Sequence, residues 1–134
     1  MNKEGWAWLF HGPSGTARPG IWQWWQQRRF RYNRDVLLVG MASWVLVWVA
    51  GSAAVKPGED FEEPLVMLFG PFLYGALANV AYTLGPVFDT TLYRGGPRKK
   101  LFTAGYFFSL VLTGLPGAWA VVAWLTTVVS GRKL

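Results

Sequence analysis

Three stretches of this chain carry no formal charge over lengths that a soluble fold rarely sustains. Val36 to Val55 and Leu65 to Leu84 each run 20 residues without Asp, Glu, Lys, Arg or His, and Leu101 to Val129 runs 29. A hydrocarbon core ~30 Å thick is crossed by about 20 helical residues rising ~1.5 Å each. Each block therefore reads as a membrane span. The expected fold class is an all-α membrane protein, with three transmembrane helices preceded by an interfacial aromatic and basic segment. The boundaries follow from the charges: an irregular cytoplasmic N-terminus over 1–18, an interfacial helix over 19–35, spans over 36–55, 65–84 and 101–129, an acidic outer loop over 56–64, a basic cytoplasmic loop over 85–100 and a tail over 130–134. The overall balance, 52% hydrophobic against 15% charged, agrees with that class.

The third block is too long for a simple crossing. Its 29 residues would cover roughly 43 Å as a helix, and only a tilt beyond the common range would fit them into the core. Part of it must emerge or bend. Pro116 cannot donate to the carbonyl of Leu112 and crowds it, so a kink is expected near that residue. A re-entrant segment turning at Leu115-Pro116-Gly117 is the alternative, although each half would then be too short to span.

Orientation follows from the basic residues. With the N-terminus cytoplasmic, ten of the 13 Lys and Arg side chains fall on the inner side, as the positive-inside rule expects. Arg132 and Lys133 dissent, since they would lie outside with the acidic KPGEDFEEP loop. No signal-peptide pattern precedes the first span, because the apolar run Trp6 to Phe10 is too short; that span is expected to act as an uncleaved insertion signal. The net charge of +6 is concentrated beside the spans. Arg28, Arg29, Arg31 and Arg34 lead into the first, and Arg94, Arg98, Lys99 and Lys100 lead into the third. Such clusters attract anionic lipid headgroups rather than nucleic acid.

Residues 19–34, PGIWQWWQQRRFRYNR, combine Trp22, Trp24 and Trp25 with further aromatics and four arginines. This is the composition of a headgroup-depth anchor. It can equally be the cytoplasmic end of a longer first helix.

Helical projection separates each span into two faces. In the second, Pro71, Gly75, Ala78, Asn79, Tyr82 and Gly85 share a stripe opposite Val66, Phe69, Leu73, Leu77, Val80 and Leu84. In the first, Gly40, Ser43, Val47, Ala50, Gly51 and Ala54 align, with Trp44 and Trp48 on the flank. In the third, Gly105, Ser109, Thr113, Pro116, Ala120, Ala123 and Thr127 oppose Phe107, Val111, Ala118, Val121, Leu125 and Val129. Helices in lipid associate through close backbone approach and interhelical hydrogen bonds, which small and hydroxyl or amide residues supply. The narrow stripes should therefore face one another, and Asn79 and Tyr82 should bond across the bundle. Trp44 and Trp48, with Trp24 and Trp25, are the candidates for contact with a partner or a flat pigment. Asp89 is expected to pair at the surface with the neighbouring basic residues, where such pairing contributes little.

Catalytic patterns are weak. There is no cysteine and a single histidine, His11; Ser14 lies near it, with no acid placed to complete a triad. YRGGPRKK lacks the spacing of a phosphate-binding loop. No ionisable residue falls within the three expected spans, as a proton relay would require. No metal or cofactor is expected, and the chain is not expected to be an enzyme.

The RRFRYN lead-in, the ANVAYTLG of the second span and the KKLFTAGYFFSLVLTGLP entry to the third together resemble an uncharacterised family of small three-span bacterial inner-membrane proteins. The likeness covers about the last hundred residues. It implies a bacterial inner-membrane location and carries no catalytic residue with it, since that family has no assigned activity. The function expected is a non-catalytic accessory subunit of a larger membrane complex, with an energy-transducing complex, photosynthetic or respiratory, as the candidate host. The alternatives are a small homo-oligomeric transporter or channel lined by Asn79, Tyr82, Ser109 and Thr113, and, last, a lipid-modifying enzyme.

Overall fold

The computed structural model describes residues 20–93 and 98–134, with only the backbone of Tyr93. The expected irregular N-terminus (1–18), Pro19 and Arg94 lie outside the described residues. Every regular element described is helical, and three helices are long and apolar enough to cross a membrane: α1 Ile21–Ala54, α2 Pro64–Leu92 and α3 Arg98–Ser130.

Helix α1 is a single 34-residue rod. The segment expected as a separate interfacial helix is its first part, and no break occurs at the boundary placed near residue 35. Residues 21–35 contain neither Gly nor Pro, so nothing in the backbone chemistry stops the helix there. It starts where Trp24 N–H donates to Gly20 O at 2.9 Å. A π-helical turn, Val47–Gly51, interrupts it near the far end.

Helix α2 opens with Pro64 in its first turn, where the missing N–H is harmless, and ends in a second π-helical turn, Asp89–Tyr93. Helix α3 runs unbroken for 33 residues through Pro116. The re-entrant alternative is thereby excluded, and α3 extends ~50 Å.

Between α1 and α2, Glu59 N–H donates to Lys56 O at 3.0 Å. Gly58 sits at φ 88°, the conformation a Pro-Gly turn requires at its third residue. The loop then folds back so that Phe61 covers Gly51; a Cβ there would lie 2.6 Å from the Phe61 ring. Leu134 N–H donates to Ala54 O at 3.0 Å. The tail carrying Arg132 and Lys133 therefore leaves at the same end as the acidic loop.

Packing is centred on α1, whose longest contact is with α3. The expected stripes largely turn inward. Ser43, Val47, Ala50, Gly51 and Ala54 of α1 are buried, as are Ala78 and Tyr82 of α2 and Thr113, Ala120, Ala123 and Thr127 of α3. Val66, Phe69, Leu73, Leu77, Val80 and Leu84 are all exposed. The inward face of α3 differs by one residue in its first half. Phe102, Tyr106 and Gly117 are buried where Gly105 and Pro116, both exposed, were expected; Pro71 of α2 is exposed as well. Small residues do not line the whole interior. At the basic end the core is aromatic, built from Trp24, Trp25, Tyr32, Tyr82, Phe102 and Tyr106. Farther along, Val47, Ala50 and Ala120 form the narrow half.

The two halves are joined at Ser43 and Trp44. Gly117 N–H donates to Ser43 Oγ at 2.8 Å, and a Cβ on Gly117 would stand 2.7 Å from Ser43 Cα. Only glycine permits that approach. The neighbouring Trp44 sends its indole N–H to Met67 O at 3.0 Å. That carbonyl would ordinarily receive the N–H four residues on, but residue 71 is proline and has none. Two adjacent residues of α1 thus bond to the backbones of both proline-bearing helices.

Candidate functional site

The richest chemistry lies at the basic end, where α1 meets α2 and α3 through a buried polar and aromatic cluster. Asn33 Nδ2 donates to Asn79 Oδ1 at 3.1 Å, and Arg29 Nη2 donates to Thr83 Oγ1 at 2.7 Å. Tyr82 donates to Trp25 O at 2.6 Å. On the other side, Tyr32 donates to Ser109 Oγ at 2.9 Å and Tyr106 to Asp35 Oδ2 at 2.7 Å. These pairs fix the register. Arg28 to Asp35 of α1 run beside the apolar Leu77–Leu84 stretch of α2 and the Phe102–Leu110 stretch of α3. Charged groups that precede the first expected span therefore lie level with the apolar runs of the neighbouring helices.

Asp89 departs furthest from the surface pairing expected. It is fully buried. Its Oδ2 accepts from Trp25 Nε1 at 3.0 Å and from Arg98 Nε at 2.5 Å, while Oδ1 has no hydrogen-bond partner among the described residues. The π-helical turn at Asp89–Tyr93 begins at this carboxylate, and the pair clasps the end of α2 to the start of α3. Buried charge is tolerated only with such partners, since desolvation otherwise costs several kcal/mol.

Arg28 is likewise fully buried. It donates from Nη1 to Trp24 O at 2.8 Å and stacks with its guanidinium carbon 3.6 Å from the Trp24 ring centroid, a cation–π geometry. It is not presented to headgroups as expected. Of the other expected headgroup residues, Arg29 and Arg31 are half-buried and Arg34 pairs with Asp35 at 2.8 Å. Arg98 is held by Asp89, whereas Lys99 and Lys100 are exposed.

Trp24 and Trp25, expected at a partner or pigment, belong to the core instead. They pack edge to face on each other at 5.5 Å and on Phe102 at 5.6 Å each. Trp44 and Trp48 do face outward, 37% and 51% exposed, with ring centroids 6.0 Å apart. The acceptor for Trp44 is Met67 O of α2.

The four polar residues weighed as a pore lining are engaged inside the bundle. Asn79 also donates to Gly75 O. Ser109 donates to Gly105 O at 2.8 Å, and Thr113 shares a 2.7 Å hydrogen bond with Tyr74 while bonding back to Ser109 O. Gly75 itself is half-buried beside Asn79. What this arrangement can do chemically is bind helices together in one register.

Sequence reasoning missed Arg28, Tyr32, Asn33, Tyr74, Asp89, Phe102 and Tyr106 as interior residues. One signal could have found several of them. Stepping back from Ser43 by three or four residues at a time passes Val36, Tyr32, Arg28 and Trp25, so the inward face of the first span continues through the basic lead-in.

No known protein family, curated protein or solved structure matches this chain.

Proposed function

We propose that this protein is a non-catalytic accessory subunit of a larger membrane assembly, in which it presents a tryptophan-bearing outer face to a neighbour. The observation that carries the reading is the level of its exposed tryptophans. The Ser43–Gly117 contact sets α1 and α3 in parallel register. Trp44 and Trp48 then lie within about a turn of the level of Trp119 and Trp124, and all four are exposed. On α3 the apolar run continues from Leu125 to Val129 beyond this band, so the indoles do not simply mark its edge. Tryptophan is enriched where protein surfaces dock.

The internal hydrogen bonds of Asn79, Tyr82, Ser109 and Thr113 favour this reading over the transporter or channel, which would need those groups turned to a pathway. The resemblance to small three-span bacterial proteins supports a bacterial inner-membrane location, and the basic residues support a cytoplasmic N-terminus. An energy-transducing complex, with lipid or pigment contacts, is the host proposed.

Solubilisation in a mild detergent tests the proposal. The chain should migrate with a larger hetero-complex, and Trp48→Ala with Trp119→Ala should release it while its helical content stays unchanged. A homo-oligomer of fixed size that conducts ions in liposomes would refute it.

A further inference from the structure

The three helices do not turn apolar at the same height. On the outward side of α1, Gln23 and Gln26 are exposed, and Arg34 keeps 39% of its side chain exposed beside Asp35. The apolar face begins only with Leu37, Leu38 and Met41. The register fixes what stands beside this polar strip. Ser43 meets Gly117, and a Cβ on Gly114 would lie 3.7 Å from Val39; followed back along the two parallel helices, Phe30 comes level with Ala104. On α2, Thr83 accepts from Arg29 and Asn79 from Asn33, so Val80 and Leu84 bracket the same height. There α2 and α3 expose Val80, Leu84, Ala104, Phe107 and Phe108. From Gln26 to Arg34, a rise of ~12 Å, α1 is polar outside where both neighbours are apolar. The far ends agree. Leu134 N–H donates to Ala54 O, so α1 and α3 finish together and their mismatch is confined to the basic end. A rigid tilt displaces both ends of a helix, and it cannot remove a mismatch at one.

We infer that the bilayer absorbs the difference: headgroups and water at the basic end reach down the outer flank of α1 to Arg34, while hydrocarbon continues along α2 and α3, so the chain thins the membrane on one side by ~12 Å. Bilayers thin to meet a short apolar surface at a modest cost per ångström, and drawing water and headgroups toward a charged side chain spares it burial in hydrocarbon. Both flat boundaries are worse. One drawn at Arg34 strands Val80, Leu84, Phe107 and Phe108 in water. One drawn at the start of α3 sinks the Arg34–Asp35 pair roughly 10 Å into the apolar layer. The strip also fits lipid better than a protein neighbour. It offers amides and a guanidinium, which phosphates and water satisfy, with Phe30 as its exposed aromatic, whereas the tryptophans lie farther along. The inference does not depend on the accessory-subunit reading.

Nitroxide labels read the depth of single positions in the full chain, reconstituted into phosphatidylcholine vesicles containing phosphatidylglycerol. Phe30→Cys on α1, Val80→Cys on α2 and Ala104→Cys on α3 replace exposed residues at one height of the bundle, in a chain without native cysteine. The label at residue 30 should collide with a water-soluble nickel chelate, and those at 80 and 104 with dissolved oxygen, with depths differing by ~12 Å. At the far end, labels from Val49→Cys and Val122→Cys, also exposed, should lie equally deep. Equal depth at residues 30, 80 and 104 would overturn the inference. A depth difference at the far end that mirrors the one at the basic end would replace it by a tilt. If the residue 30 cysteine reacts with a water-soluble thiol reagent in vesicles but is shielded in native membranes, a protein covers this flank and the inference fails.

Discussion

Replacing Gly117 by alanine tests the closest contact in the bundle, and its cost can be worked from distances. The new methyl carbon would sit 2.7 Å from Ser43 Cα and 3.0 Å from both Ser43 O and Oγ. Two of these three atoms are backbone, so no rotamer change relieves the clash. Restoring ordinary carbon contacts of about 3.5–4.0 Å requires α1 and α3 to separate by roughly 1 Å. Overpacking of this kind costs about 1–3 kcal/mol. The separation also stretches the Gly117 N–H bond to Ser43 Oγ, where interhelical bonds in membranes average about 0.6 kcal/mol. Against these stands a gain of about 0.5–1 kcal/mol from removing a glycine from a helix interior. The net expectation is a loss of about 0.6–3 kcal/mol. Gly105→Ala in the same helix supplies the control, because its methyl meets nothing and only the propensity gain of up to about 1 kcal/mol remains. Reversible unfolding in mixed micelles, followed by circular dichroism, should move the two midpoints in opposite directions. If Gly117→Ala were as stable as the native chain, the claim that α1 and α3 meet backbone to backbone would be wrong.

Three other substitutions probe the remaining ties. Trp44→Phe should cost about 1–2 kcal/mol by orphaning Met67 O; with Pro71→Ala already in place, the restored backbone N–H should take that carbonyl and make the same change cheaper by at least about 0.5 kcal/mol in a double-mutant cycle. Asp89→Asn removes the partner of Arg98 and should destabilise by about 2–4 kcal/mol, toward the lower side of the usual cost of breaking a buried pair because Arg98 is partly exposed; the same unfolding assay reads it, and an unchanged midpoint would place the pair in solvent. Asn79→Ala leaves Asn33 without its acceptor and should cost about 1–2 kcal/mol, whereas a transport defect with unaltered stability would point back to a pathway.

The outward faces were legible in the sequence because hydrocarbon repeats at helical spacing over a whole span. Leu73, Val80 and Leu84 could be placed without knowing any partner. The inward faces of α1 and the far half of α3 were legible for the same reason, with small residues repeating from Ser43 to Ala54 and from Thr113 to Thr127. The basic end was not. There the rule that narrow residues face inward gives way, since Trp25, Phe102 and Tyr106 fill the core, and which large residues meet there depends on the register of three helices at once. Charge misled in the same region. Arg28 and Asp89 look like surface residues when each span is read alone, yet Arg28 stacks on Trp24 of its own helix and Asp89 is enclosed once the register brings it to Trp25 and Arg98. The role of Trp44 was hidden in a different way. Its acceptor exists because Pro71, on another helix, has no proton to give.

The central feature of the bundle is that α1 turns its small-residue face to α3. Because the chain has no cysteine, an introduced pair can be cross-linked in native membranes without background. Ala50→Cys with Ala120→Cys, both buried in one cluster, should form a disulfide rapidly on mild oxidation, while Val49→Cys with Ala118→Cys, both exposed, should not. Efficient linkage of the second pair and none of the first would contradict the account.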